Sequence, residues 1–290
     1  MWFIQAHFKV SWAIFLLIGR FLTKYRKRKD LVVSLTSIPS RFFFLEKTVK
    51  GLLCQTIIPN AIRIYIEKEY FEVLSKVMNP LSKFGVEVIG VEPGLRSANM
   101  IIPEISSRQE DLEPLIIYLN DDVIYPRKLL ESMLDESKRQ GNTSIICNWA
   151  QFPVFDENHV TLPYKDWPDS HEWHGRRVFA TPLSVAAILV PRKVLPRQFS
   201  NRKLFQKLAQ YNDDLWLFTH AIVNDIPIIM NSVRLRIPVL WPGSQNEALW
   251  HVNVVQGRND STFSELLRYF PSLRETLLTR PELSLVKNKH

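Results

Sequence analysis

From residue 31 onward, short apolar runs alternate with longer stretches in which apolar residues recur every third or fourth position. Leu31-Val32-Val33-Ser34-Leu35 reads as a strand buried on both faces. Leu45 to Cys54 places Leu45, Val49, Leu52 and Leu53 on one side of a helix. Ala61 to Ile66 predicts a second strand, residues 70–84 a helix, Val86 to Val91 a third strand and residues 98–108 a short helix. Leu115 to Leu119 is the most apolar strand. A helix from Pro126 to Gln140 follows it, and then a fifth strand from Thr143 to Cys147. Strands alternating with helices predict βαβ units, hence an α/β fold with a mostly parallel central sheet covered by helices on both faces.

Beyond residue 150 the pattern loosens. Residues 150–182 mix aromatics, prolines and histidines without a period and predict a long, loop-rich insertion. Ser184 to Val190 then predicts a strand, Asp213 to Asn224 a helix, Ile226 to Val233 a strand and residues 260–279 a closing helical region. No linker-like composition divides the chain after residue 30, so residues 31–290 are expected to form one domain.

Residues 1–30 are of another kind. Trp12 to Ile18 is an almost unbroken apolar run, extended by Phe21 and Leu22. A spanning helix needs about 20 apolar residues, and reaching that length here includes Lys9, at about 3 kcal/mol. On a helix, Gln5, Lys9, Arg20 and Thr23 share one narrow side, while Trp2, Phe3, Phe8, Trp12, Phe15 and Ile18 lie elsewhere. That arrangement favours an N-terminal helix lying in the membrane interface, with Tyr25-Arg26-Lys27-Arg28-Lys29 against the anionic head groups of the inner leaflet. Packing of this helix on the domain is the alternative. Lying on the membrane or spanning it, the segment puts the domain on the cytoplasmic face.

Charge follows the same division. Of 37 basic and 29 acidic side chains, residues 1–30 hold seven and one, so +6 of the net +8 sits there. The main domain has almost no excess charge, which argues against nucleic acid as a partner. With 290 residues, 46% of them hydrophobic, the chain buries a core without disulfide staples. Its two cysteines, Cys54 and Cys147, read as buried thiols in a reducing compartment.

The candidate chemistry begins at Asn120-Asp121-Asp122, directly after the most apolar strand. Ligands of open α/β sheets bind beyond the carboxyl ends of the strands. Two adjacent carboxylates there are costly to hold together unless a cation compensates them, and Mg²⁺ or Mn²⁺ is a usual choice. A turn that caps the next helix is the other reading. Asn212-Asp213-Asp214 likewise opens a predicted helix, either as its cap or with one carboxylate facing a cleft. Tyr164, Trp167 and Trp173 in the insertion suit either stacking on sugar rings or anchoring a long loop. His171-Glu172-Trp173-His174 has spacing one residue short of a zinc-protease motif, and a zinc site is rejected.

Leu119-Asn120-Asp121-Asp122-Val123-Ile124-Tyr125-Pro126 resembles the acidic metal-binding motif of GT-A-fold nucleotide-sugar glycosyltransferases. The likeness is greatest to family-2-like bacterial enzymes that build surface polysaccharides. Val33 to Arg41, Leu52 to Thr56, Arg96-Ser97, Asn212 to Trp216, Leu249-Trp250 with Asn253, and Asn259-Asp260 resemble further segments of that family, in order, across roughly residues 31–270. Asn120 stands where the family has Asp, and Met100 where it usually has Lys.

The resemblance implies a GT-A, Rossmann-like sheet with a donor half over 31–125 and an acceptor half over 126–290. It implies a nucleotide-sugar donor held by Thr36, Ser37, Arg41, Arg96, Ser97, Asn120 and Asp121. Asp122 and His251 would ligate Mn²⁺ or Mg²⁺. Asp213 or Asp214 would act as the base of an inverting transfer to a glycan or lipid-linked acceptor. The competing reading is a binding or scaffold protein on the same fold that has lost turnover, suggested by Asn120 and Met100. A nucleotidyltransferase would want a glycine-rich or basic phosphate loop, which Thr36-Ser37-Ile38-Pro39-Ser40 does not supply.

Overall fold

The apolar runs form the middle of an eight-stranded sheet in the computed structural model, which describes residues 27–107, 114–170, 172–233, 238–244 and 257–279. Strand β1 (Lys27–Thr36) leads through helix α1 (Phe42–Leu52) to β2 (Ile58–Glu67), then through α2 (Phe71–Ser82) to β3 (Val86–Val91). A 3-10 turn at Arg96–Met100 and the short α3 (Ile102–Ser106) precede β4 (Leu115–Tyr118) and the short β5 (Val123–Ile124). Helix α4 (Leu129–Arg139) and β6 (Ile145–Cys147) complete the regular half. The insertion contributes β7 (Ala150–Gln151), β8 (Arg177–Val178) and β9 (Thr181–Pro182), and is followed by β10 (Ile188–Pro191). Helices α5 (Arg202–Leu208) and α6 (Asp213–Val223), strands β11 (Ile228–Met230) and β12 (Val239–Leu240), and helices α7 (Arg258–Tyr269) and α8 (Pro271–Thr279) follow.

The strand order is β3-β2-β1-β4-β10-β6-β11-β8. β1, β2, β3 and β4 are mutually parallel, and β6 is parallel to β11. β10 lies antiparallel between β4 and β6, and β8 antiparallel at the edge. A mostly parallel α/β sheet is therefore present, with one reversal near its centre that periodicity did not indicate. The reversal has a topological cause. β10 is entered from the long insertion, which delivers the chain to the carboxyl edge of the sheet, so β10 must run back.

Both faces are buried, as continuous apolar strands require. β4 shows the alternation: Leu115 and Ile117 join α1, α2 and α4 in one core, while Ile116 and Tyr118 join α6, α7 and α8 in the other. The insertion's aromatics belong to this second core. Tyr164 and Trp167 are 6% and 4% exposed, and Trp167 stacks edge-on to Phe263 of α7 at 4.9 Å. They anchor the loop, and stacking on sugar is ruled out for these two by burial.

Lys27-Arg28-Lys29, expected against lipid head groups, are the first residues of β1, with Lys27 and Lys29 exposed, and Arg28 pairs with Asp30 at 2.7 Å. The remainder of the expected membrane segment, residues 1–26, lies outside the described residues. Among the described residues no helix is long and apolar enough to cross a membrane. Cys147 is buried and Cys54 half-buried, both as free thiols.

Candidate active site

The chain steps outward from β1 to β2 and β3, then returns to place β4 on the other side of β1. The loops leaving β1 and β4 therefore diverge, which makes the carboxyl edge of this strand pair the natural crevice of the sheet. Ser37 and Arg41 follow β1, and Asn120, Asp121 and Asp122 follow β4. The Ser37 hydroxyl donates to Asp121 Oδ2 at 2.5 Å. Arg41 Nη1 donates to Asp121 Oδ1 at 3.2 Å and stands 3.6 Å from Asp122 Oδ2. Asp121 is 5% exposed and Asp122 1%, so both carboxylates face inward. Neither caps α4, which starts seven residues after Asp122 with Lys128 in the cap position and no side-chain capping bond.

The electrostatic demand made by this pair is met only in part within the chain. Burial pushes the Asp121 carboxyl up to about 6, against the pull of Arg41 and Ser37, and neighbouring Asp122 adds to the upward push. Arg41 is the compensating cation. Among the described residues no three His, Cys, Asp or Glu side chains cluster as a metal site. His251, the other expected ligand, lies outside the described residues.

The acidic turn is clamped from behind. The Thr48 hydroxyl of α1 donates to the Val123 carbonyl at 3.1 Å and accepts from Trp241 Nε1 at 3.0 Å. The Trp241 amide donates to the Asp122 carbonyl at 2.9 Å, and β12 pairs with β5. Thr36 is tied to β2 through its hydroxyl, which donates to the Tyr65 carbonyl at 2.8 Å.

A second pair of acids opens α6. Asn212, not an aspartate, is the cap: its side chain accepts from the Leu215 amide at 2.7 Å. Asp213 and Asp214 are thereby left for other work. Asp214 Oδ1 accepts from the Ser184 amide at 3.1 Å. Asp213 is 5% exposed, and its Oδ2 is buried without a hydrogen bond. Burial pushes both carboxyls up, Asp214 far up because Asp213 adds to the effect; the Ser97 hydroxyl moderates Asp213 and Ser184 moderates Asp214. Tyr118 of β4 is also held far above its ordinary range, by burial first and then by the charges of Asp214 and Asp213.

A path of hydrogen bonds and backbone links joins the two carboxylate pairs. The Asn120 amide donates to Tyr125 Oη at 3.0 Å, and Tyr125 Oη donates to the Val185 carbonyl at 3.2 Å. Val185 follows Ser184, the residue whose amide holds Asp214. The turn carrying Ser184 and Val185 ends at Ala187, buried with φ of 71, a conformation that non-glycine residues rarely adopt. Such outliers persist where the surroundings over-determine them, as at ligand sites.

Of the expected site residues, the structure brings Ser37, Arg41, Asp121 and Asp122 into one cluster, and Ser97, Asp213 and Asp214 into a second beside it. Arg96 stands apart from the first cluster, exposed and stacked over Tyr211 at 4.4 Å. Met100, at the place of the family's lysine, is buried, and its carbonyl accepts from Ser34 Oγ at 2.5 Å. Sequence reading assigns no role to Tyr125, Ser184 or Trp241. Tyr125 lies within the quoted acidic run and was the one within reach of motif reading. Ser184 acts through its backbone amide, which leaves no mark on residue type, and Trp241 through its amide and its indole N–H, contacts that only the fold establishes.

No protein-family model and no curated protein sequence matches this chain. Among solved structures, 4-diphosphocytidyl-2C-methyl-D-erythritol synthase from Anaerococcus prevotii is 9% identical with a TM-score of 0.42, over 72% of this chain and 90% of that one. Mouse xyloside xylosyltransferase 1 is 13% identical with a TM-score of 0.41, over 81% and 93%. The inositol-1-phosphate CTP transferase from T. maritima is 14% identical with a TM-score of 0.43, over 83% and 96%. Similarities this low assign neither a family nor an activity, and the functional reading rests on the site.

Proposed function

We propose that the protein is a glycosyltransferase that moves a sugar from a nucleoside-diphosphate donor to a hydroxyl of a glycan or lipid-linked acceptor, in cell-surface polysaccharide synthesis. The observation that carries this reading is the pair of buried carboxylate clusters joined across the carboxyl edge of β1 and β4. One holds an arginine between two acids, and the other presents acids whose affinity for protons is raised. A leaving diphosphate needs counter-charge, which Arg41 supplies. An acceptor hydroxyl needs a base, and a carboxylate with raised pKa takes a proton more readily at neutral pH than an exposed one. Asp213, with a buried oxygen that has no other partner, is the preferred base, and Asp214 braces the Ser184 turn. A base of this kind fits inversion at the anomeric carbon.

The Mg²⁺ or Mn²⁺ ion implied by the resemblance belongs to the same reading. Asp121 and Asp122 offer the hard oxygen ligands such an ion takes, and it would compete with Arg41 for them. When bound it would add counter-charge for the leaving diphosphate. The N-terminal segment would hold the enzyme on the inner leaflet, where lipid-linked acceptors are met.

The test is a screen of nucleotide sugars for hydrolysis or transfer, followed by Asp213→Asn and Asp214→Asn. The reading predicts that nucleoside-diphosphate binding survives in both while turnover by Asp213→Asn falls by about a hundredfold or more. Undiminished turnover in both variants would reject the base. Binding without turnover of any donor by the unaltered protein would favour the binding-protein alternative, for which Asn120 and Met100 speak.

A further inference from the structure

Tyr211 immediately precedes the cap of α6, and two arginines stack on it. The Arg96 guanidinium carbon lies 4.4 Å from the ring centroid and that of Arg258 lies 3.8 Å away. Stacking uses the flat face of a guanidinium and leaves its N–H edges available to a further partner. Neither arginine is in an ion pair among the described residues. Two guanidinium charges gathered on one ring repel each other, and an anion joining them would relieve that repulsion.

Among the described residues the neighbouring acids do not serve as that anion. Asp214 accepts from the Ser184 amide, Asp260 accepts from the Tyr164 amide at 2.6 Å, and Asp213 sits beside the Ser97 hydroxyl. The backbone also favours an anion here. Arg258 is the first residue of α7, a twelve-residue helix whose cap position is Gly257 at φ of 68, a residue with no side chain to accept from the first amides. Uncapped N–H groups at a helix start attract negative charge. On the other side Arg96 holds φ of 50, strained for a residue with a side chain. The fold thus maintains an unfavourable backbone conformation at Arg96 where the guanidinium meets Tyr211.

We infer that Arg96 and Arg258, positioned by Tyr211, form a clamp for a phosphoryl group of a substrate, separate from the Arg41 cluster. The clamp itself follows from the geometry alone. It rests on the glycosyltransferase reading only for which molecule carries the phosphoryl group, the donor's diphosphate or a phosphate on the acceptor.

The experiment is calorimetric titration of inorganic pyrophosphate into the full chain, as wild type and as Arg96→Gln, Arg258→Gln and Arg202→Gln. Arg202, whose guanidinium contacts the Glu92 carbonyl, is the surface control. Binding is expected to weaken by about tenfold or more in each clamp variant and to stay unchanged in Arg202→Gln. Absence of pyrophosphate binding in the wild type, or equal affinity across all four proteins, would overturn the proposal. Arg258→Lys controls for folding, and its thermal melt should match the wild type. No nucleotide enters this titration, so failure of the glycosyltransferase reading leaves its result intact. Repeating it with uridine diphosphate identifies the source: a parallel loss in the clamp variants places the phosphoryl group on the donor. Undiminished binding, with glycerol phosphate still captured in the presence of the nucleotide, places it on the acceptor.

Discussion

Asp121→Asn isolates the energetic consequence of burying the acidic turn. In the fold, burial holds the Asp121 carboxyl near 6, while in the unfolded chain it returns to its ordinary 3.8. Below pH 3.8 it is protonated in both states, and the fold carries no penalty from it. Between those values the folded protein keeps a proton that the unfolded chain has released, so stability declines as pH rises through the window. Above pH 6 the full penalty applies, on the order of 3 kcal/mol from the gap between the two values. Arg41 and Ser37 have already reduced it, because their bonds to Asp121 act against the burial effect.

Asparagine cannot ionise. Its carbonyl still accepts from Ser37, but its amide faces Arg41 less favourably, which returns part of the gain. The variant should therefore be more stable than wild type by about 1–2 kcal/mol at pH 7.5 and indistinguishable from it, or slightly less stable, at pH 4. Urea unfolding at pH 4, 5, 6 and 7.5 measures this, and taking the difference between the two proteins removes all other titrating groups. A variant less stable than wild type at pH 7.5, or a difference that does not change with pH, would refute the reasoning. A gain in stability from removing a buried charge, accompanied by weaker nucleotide binding, is what a functional carboxylate predicts and a structural one does not.

His220 gives the opposite pH dependence. It is buried among Trp216, Phe199 and Phe270 with no hydrogen bond at either ring nitrogen, and burial pushes it down from 6.5 to about 4. Its stabilising effect is complete above pH 6.5 and is lost as pH falls through 4, by about 3 kcal/mol, and His220→Phe should abolish that loss in unfolding curves at pH 7.5 and 4.5. Ala187→Gly should leave stability within about 1 kcal/mol of wild type or raise it, since relief of the strained φ offsets the lost methyl group, whereas Ala61→Gly in β2 should lose about 1 kcal/mol in the same thermal melts. Arg41→Ala should bind Mn²⁺ more tightly than wild type by electron paramagnetic resonance titration, because the competitor for Asp121 and Asp122 is gone; unchanged affinity would separate the ion from that site.

Local signals made much of this site legible. A run of five apolar residues followed by Asn120 and two acids reads as a buried strand with carboxylates near its exit, and the structure places Asp121 and Asp122 there. The same logic located Asp213 and Asp214 at a helix start. Their exclusion from capping was less accessible, because Asn212, Asp213 and Asp214 are all competent caps and only the fold selects among them. Periodicity could not show that β10 runs backwards, because a strand has the same pattern in either direction. The resemblance implies that Arg41 contacts the nucleotide. Its position between the carboxylates depends on the pairing of β1 with β4, residues some eighty apart in the chain. The insertion's aromatics illustrate the same limit: Tyr164 and Trp167 have identical composition as sugar platforms or as anchors, and packing against α7 decides between them. Tyr211 and Arg258 carry no motif at all and become neighbours only when α6 and α7 come together.

The most direct test of the whole account is calorimetric titration of uridine diphosphate into the full chain, as wild type and as Asp122→Asn. The account predicts saturable binding by the wild type that weakens by about tenfold or more in the variant. Undetectable binding by the wild type, with and without Mn²⁺, or equal affinity in the two proteins would contradict it.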